Sequence, residues 1–164
     1  MSHLAARLIA SVVVLAILVG CTTPERRSVS IPSQVLFVCE HGNVKSLMAA
    51  SYFNELAQAR GLAFRGISRG SAPDSDSVPP KIVTGLSGDG FDVSAFHPAA
   101  LSASDVSASI TVVAIGVPLA KELVGGASFA QWNDVPPASV DYAAARASLK
   151  KHVEQLLGEL AAEW

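Results

Sequence analysis

The residues that can do chemistry in this chain crowd into one short stretch, Cys39-Glu40-His41-Gly42-Asn43-Val44-Lys45-Ser46. A thiolate is a strong nucleophile and needs a cationic or dipolar environment to form. Lys45 supplies a cation within the same stretch, and opposite charge favours the ionised thiol. Ser46 can donate a hydrogen bond to the thiolate or to a leaving sulfur. Gly42 and Asn43 permit a tight loop, and glycine takes left-handed backbone without penalty. His41 is either a second cation or a loop surface residue. A loop of this kind, closing on a helix N-terminus, turns backbone N–H groups toward one point and binds oxyanions. The chemistry it suits is attack of Cys39 on a phosphate-like anion.

The elements around this stretch predict where it sits. Val35–Val38 is a continuous apolar run, the pattern of a strand buried on both faces. Ser46 to Arg60 reads as a helix with Ala49, Tyr52, Phe53 and Leu56 on one face, and Gly61 as its stop. Leu62–Ser68 is a weaker strand candidate, and 71–80 is a loop rich in Ser, Pro and Asp. A short helix follows over Pro80–Leu86, with proline tolerated in its first turn. Ser102 with Asp105 marks another helix start. Ile110–Ile115 is the second clear buried strand, Ala127–Trp132 a further short one, and Asp141–Leu160 the longest helix. That helix carries Tyr142, Leu149, Val153, Leu156 and Leu160 on one stripe. Strands alternating with helices predict an α/β fold of three layers, α/β/α, around a small parallel sheet of about four strands. Ligands of such sheets bind beyond the carboxyl ends of the strands, and Cys39 lies at the carboxyl end of the first.

Composition bounds the rest. The chain has 164 residues, a formal net charge of -2 and 50% hydrophobic residues. Its length suits one domain, and its balance of charge gives no reason to expect nucleic acid as a partner. Met1 to Arg7 is a short basic start, and Leu8 to Val19 carries no charge. This is a secretory signal pattern, and the apolar run is shorter than the roughly 20 residues a spanning helix needs. It ends in Leu18-Val19-Gly20-Cys21, which resembles the lipobox of bacterial lipoproteins, in which the cysteine is lipidated. The expected organisation is a signal peptide over 1–20, a flexible tether over 21–33 beginning at the lipidated Cys21, and a folded domain over 34–164. The domain is then exported and held on a membrane, facing the periplasm or the cell exterior. The chain has two cysteines, so a lipidated Cys21 leaves Cys39 without an intrachain partner.

The stretch Val35-Leu36-Phe37-Val38-Cys39, five residues, Lys45-Ser46 and then Met48-Ala49 resembles the low-molecular-weight protein tyrosine phosphatase family. The thioredoxin-coupled arsenate reductases share that fold and loop. Trp132-Asn133-Asp134-Val135-Pro136 stands before the last helix, where the family places its general-acid aspartate, usually as Asp-Pro. The resemblance implies Cys39 as nucleophile, Lys45 as the cation on the anion and Asp134 as the acid, with His41, Gly42, Asn43, Val44 and Ser46 forming the substrate cradle. It implies hydrolysis of phosphomonoesters through a phosphocysteine, without a cofactor, on a small phosphorylated or oxyanion molecule or a phosphoprotein. The chain also departs from the family, which has arginine where Lys45 stands. Arginine offers a planar, bidentate fork, and lysine is a point charge. The family's glycine and asparagine, two and three residues after the cysteine, are His41 and Gly42 here; its second loop cysteine is Val44. Two alternatives stay open, an arsenate reductase-like thiol enzyme and a non-catalytic oxyanion-binding lipoprotein. No cysteine follows Cys39 to relay an oxidation.

Other residues have plainer readings. Asp141 suits the start of the last helix, and Trp132 and Tyr142 suit core or rim. Arg65 and Arg69, near the second strand, suit either the lining of the pocket or, as most such arginines do, solvent. His97 and His152 show no partner in sequence, and spacing for a metal site is absent.

Overall fold

The computed structural model describes residues 31–163. The expected signal peptide, the expected lipidation site Cys21 and most of the expected tether lie outside the described residues. Four parallel strands form one sheet in the order β2-β1-β3-β4: β1 is Ser33–Cys39, β2 Phe64–Gly70, β3 Ser109–Ile115 and β4 Ser128–Trp132. The helices are α1, Lys45–Ala59; α2, Pro80–Gly88; α3, Ala103–Ser107; and α4, Tyr142–Ala162. From β1 the chain goes outward to β2, then crosses back to β3 on the other side. The reversal leaves a crevice between the carboxyl ends of β1 and β3, the place where open α/β sheets bind ligands. Cys39 closes β1 at that crevice.

The alternation of β1 distributes its side chains to two cores. Val35, Phe37 and Cys39 face the larger one, with Met48, Tyr52 and Phe53 of α1, Ile82 and Leu86 of α2, and Leu149, Val153 and Leu157 of α4. Leu36 and Val38 face the smaller one, with Val112, Ala114, Val117 and Val124. Every residue from Val35 to Cys39 is buried, and each such apolar side chain contributes about 1.5–3 kcal/mol. The α/β class and the four-stranded parallel sheet follow the expectation. The second outer layer is thin, consisting of the five-residue α3 and irregular chain.

The expected second strand slides by two residues. Gly61 has a positive φ of 66°, and the Leu62 N–H donates back to the Ala57 carbonyl to close α1. That N–H is engaged, so the ladder begins at Phe64. Ser102 caps α3 in a reciprocal capping box with Asp105, and the same Asp105 forms an ion pair with Arg69 at 2.8 Å. Arg69 is therefore tied down between β2 and α3. Asp141 caps α4 by accepting from Ala144 N.

One buried carboxylate joins three helices. Asp89, at the end of α2, accepts from Tyr52 of α1 at 2.7 Å, from Tyr142 of α4 at 2.9 Å and from Arg146 Nε of α4 at 2.8 Å. Its side chain is 10% exposed. Burial pulls the carboxyl upward, but the hydrogen bonds from Tyr52, Tyr142 and Arg146 outweigh it and hold the group below the ordinary carboxylate range. Burial, with Asp89 alongside, pushes the Tyr142 phenol up to about 12. Asp89→Ala removes the acceptor that the two phenols and the guanidinium share, leaving the phenols only their 3.0 Å contact with each other, and we expect a loss of about 2–4 kcal/mol. A thermal midpoint about 10 °C lower would show it. Because the folded carboxyl titrates below its unfolded value of about 3.9, its contribution is complete above that pH. It is lost as acid carries the solution down through the folded value, which an acid-unfolding curve of the variant against the parent resolves.

Candidate active site

Backbone geometry builds the loop after β1. The carbonyls of Cys39 and Glu40 accept from Ser71 N and Ala72 N at 2.9 and 2.8 Å. The Gly42 carbonyl accepts from Ser68 Oγ at 2.9 Å. A peptide's C=O and N–H point in opposite directions, so the amides joined to these carbonyls turn away from β2. Gly42 has φ 76°. A Cβ there would stand 2.5 Å from Gly70 N, and a Cβ on Gly70 would stand 2.8 Å from the His41 backbone. Two glycines thus let the loop lie flush on the end of β2.

Helix α1 begins at Lys45 with no side-chain cap and no acidic residue in its first turn. Nothing on the helix neutralises the partial positive charge of that end, which favours an anion. The Cys39 thiol is buried and free. Its Sγ lies 3.0 Å from Ser46 Oγ, and Ser46 Oγ lies 2.8 Å from Ser68 Oγ. Ser68 has one hydroxyl proton and the Gly42 carbonyl can only accept it, so the Ser46 hydroxyl proton is shared between Ser68 Oγ and the Cys39 sulfur. Ser46→Ala is expected to lower kcat/KM about tenfold through loss of one charge-assisted hydrogen bond. Steady-state assays of the variant against the parent measure it.

Lys45 crosses the crevice. Its ammonium occupies the space that a Cβ on Gly116 would take, just beyond the end of β3. Gly116 has φ 63°, so the absence of a side chain serves both the turn and the lysine. Among the described residues no carboxylate forms an ion pair with Lys45. Asn43 is buried at 3% exposure, its Nδ2 donates to the Ser77 carbonyl at 2.8 Å, and its Oδ1 is without a partner. Val44 is partly buried against the larger core. His41 Nδ1 lies 3.1 Å from Asp74 Oδ1, and its Nε2 lies 3.7 Å from Glu40 Oε2. A pocket of about 470 Å³ opens beside this side of the loop, lined by His41, Asn43, Val44, Asp74, Val78 and Pro79 among others.

The structure thus gathers Cys39, Lys45, Ser46 and the cradle residues at one end of the sheet. Asp134 follows β4 at the same end but is engaged elsewhere. Its Oδ1 lies 2.7 Å from His152 Nε2, in the third turn of α4. The His152 ring stacks on Trp132 with centroids 4.7 Å apart. The hydrogen bond from His152 holds the Asp134 carboxyl below the ordinary range. An acid that donates near neutral pH needs the opposite. His152, expected to be without a partner, is corrected here, because α4 packs it against the end of β4. His97 also has one, since its Nδ1 lies 2.9 Å from the Asp76 carbonyl. Sequence reasoning missed Ser68, Gly70 and Gly116. The alternation of small residues at Gly66, Ser68 and Gly70 on one face of β2 was the available signal.

Among the described residues no group of three or more His, Cys, Asp and Glu is placed to hold a metal ion, and no helix is long and apolar enough to cross a membrane.

Comparison with known proteins agrees with this geometry. The model of the low molecular weight phosphotyrosine protein phosphatase family matches residues 34–127. Among solved structures, YfkJ from Bacillus subtilis is similar at 19% identity and TM-score 0.69, over 80% of this chain and 96% of that one. A thioredoxin-dependent arsenate reductase of Corynebacterium glutamicum is similar at 21% identity and TM-score 0.65, over 83% of this chain and 65% of that one. A low molecular weight protein tyrosine phosphatase of T. tengcongensis is similar at 22% identity and TM-score 0.61, over 77% of this chain and 99% of that one. A search of curated proteins found no match. The family match takes in the thiol loop, β2 and β3 but stops before Asp134. Matched over more than half its length and built around a cysteine in an anion cradle, the chain belongs to the low-molecular-weight phosphotyrosine protein phosphatase family, a family of hydrolases with cysteine-based chemistry on phosphorylated substrates.

Proposed function

We propose that this protein hydrolyses phosphomonoesters through a phosphocysteine at Cys39. The observation that carries the reading is the Cys39 Sγ to Ser46 Oγ contact of 3.0 Å at the mouth of an uncapped helix. In the first step the thiolate attacks phosphorus, an S–P bond forms and the P–O bond to the leaving group breaks. The loop amides and Lys45 hold the phosphoryl oxygens, His41, Gly42, Asn43, Val44 and Ser46 forming the walls. In the second step water attacks phosphorus and the thiolate departs. Splitting one displacement into two is the gain of covalent catalysis. Lys45 gives charge without the fork of an arginine, so turnover slower than an arginine-bearing loop would give is part of the reading. Asp134, cast as the acid by resemblance, is better suited to tying the end of β4 to α4 while His152 holds it.

The test is turnover of p-nitrophenyl phosphate by the full-length chain between pH 5 and 8, with acid-quenched samples examined for a phosphorylated cysteine by mass spectrometry. Absence of both at every pH would sink the reading. Phosphate binding without turnover would leave an oxyanion binder, and arsenate-dependent oxidation of an added thiol would support a reductase instead.

We further propose that Cys21 carries lipid and holds the domain outside the cytoplasm. The support is the basic start, the uncharged run and Leu18-Val19-Gly20-Cys21. Cys21→Ser is expected to move the protein from the membrane fraction to the soluble one, and unchanged sedimentation with membranes would count against lipidation.

A further inference from the structure

With Asp134 bound to His152, the reaction lacks a proton donor on the leaving-group side, and the loop itself supplies a candidate. We propose that His41, oriented by Asp74, is the general acid and base of this site. The inference rests on the cysteine hydrolase reading above and goes beyond it by replacing the acid.

Three observations carry it. His41 is two residues from Cys39, on the loop that would hold the phosphoryl group. Its Nδ1 is buried and lies 3.1 Å from Asp74 Oδ1, within ion-pair distance. Its side chain is 41% exposed and lines the pocket of about 470 Å³ beside the loop, the space we assign to the leaving group. Glu40 Oε2 lies 3.7 Å from Nε2. Val44, Val78 and Pro79 give the same pocket an apolar wall, suited to an aryl or alkyl group rather than to a second phosphate.

The proton inventory closes. The imidazolium gives the proton on Nε2 to the leaving oxygen as the P–O bond breaks and the S–P bond forms, and the neutral ring keeps its Nδ1 proton toward Asp74. In the second step Nε2 takes a proton from water as the water oxygen bonds to phosphorus and the S–P bond breaks. Inorganic phosphate leaves, and thiolate and imidazolium are restored. No external oxidant or reductant enters.

A general acid matters most for a poor leaving group and least for a good one. The full-length protein and its His41→Gln, Asp74→Asn and Asp134→Asn variants are therefore compared on phenyl phosphate and p-nitrophenyl phosphate. We expect His41→Gln to lower kcat on phenyl phosphate about 10²-fold. The ratio of the two kcat values should shift about tenfold or more against phenyl phosphate. Asp74→Asn should shift the ratio in the same direction by less, and Asp134→Asn should leave the ratio where it is. If His41→Gln lowers both substrates by one factor, or if Asp134→Asn shifts the ratio, the assignment of His41 is overturned while the cysteine reading stands. If the parent chain turns over neither substrate, both are overturned.

Discussion

Replacing Cys39 with serine is expected to lower turnover of p-nitrophenyl phosphate on the order of 10⁴-fold or more. The fold should survive the change. A serine is smaller than the cysteine it replaces, the site lies at the end of β1, and its oxygen can keep a hydrogen bond to Ser46 Oγ. The loss is chemical, because a hydroxyl without a strong base beside it does not ionise near neutral pH and an alkoxide is a poor leaving group in the second step. Circular dichroism and the thermal midpoint should match the parent while activity disappears. Activity within tenfold of the parent, with the fold intact, would show that the thiol is not the nucleophile. Phosphate should still bind, since the amides, the helix terminus and Lys45 remain, and calorimetric titration with inorganic phosphate measures that.

The second large effect is structural. Gly42→Ala places a side chain on backbone with φ 76°, where a non-glycine residue costs about 1–3 kcal/mol. Its Cβ would also stand 2.5 Å from Gly70 N and 2.9 Å from the Arg69 carbonyl carbon. Those atoms belong to the β2 backbone and cannot swing aside as a flexible side chain would. We expect a total loss of about 3–4 kcal/mol, read as a thermal midpoint about 10 °C lower. The damage should extend to the chemistry, because a displaced loop misplaces its amides even where the domain remains folded. Gly61→Ala is the control. It has a comparable φ of 66°, with open space around the missing Cβ. It should cost only the backbone penalty and leave activity near the parent's. Equal losses for the two variants would contradict the close approach of Gly42 to β2.

Much of this arrangement was legible in the residues, and the parts that were not share a cause. The run Val35–Val38 announced a strand buried on both faces because burial leaves no room for a polar residue in it. The thiol at its end announced a site because few residue types do chemistry. Ser102 and Asp105 announced a cap through a contact three residues long. The misses depend on contacts between distant segments. His152 meets Asp134 across 18 residues, Ser68 meets Ser46 across 22, and Asp89 meets Tyr52 and Arg146 across 37 and 57. Such pairs come together only when helices dock on the sheet, and a linear reading has no periodicity that brings them together. The role of Gly116 was hidden for a different reason. It ends β3 as any turn glycine does, and only the packed structure shows that its missing side chain is where the Lys45 ammonium lies. Asp134 was singled out by order and position alone, which could not tell which way its carboxylate turns.

The shape of the cradle and its charge are held by different strands. Gly70 and Ser68 of β2 fix the loop's path, while Gly116, at the end of β3, accommodates the cation. The two properties can therefore be inherited separately. A lineage can exchange the cation at position 45, together with the residue that faces it after β3, without disturbing the backbone that presents the thiol. The residue at position 45 can therefore change while β2 still fixes the path of the loop. This independence also makes positions 45 and 116 a natural pair for redesign, to be varied together against an unchanged scaffold.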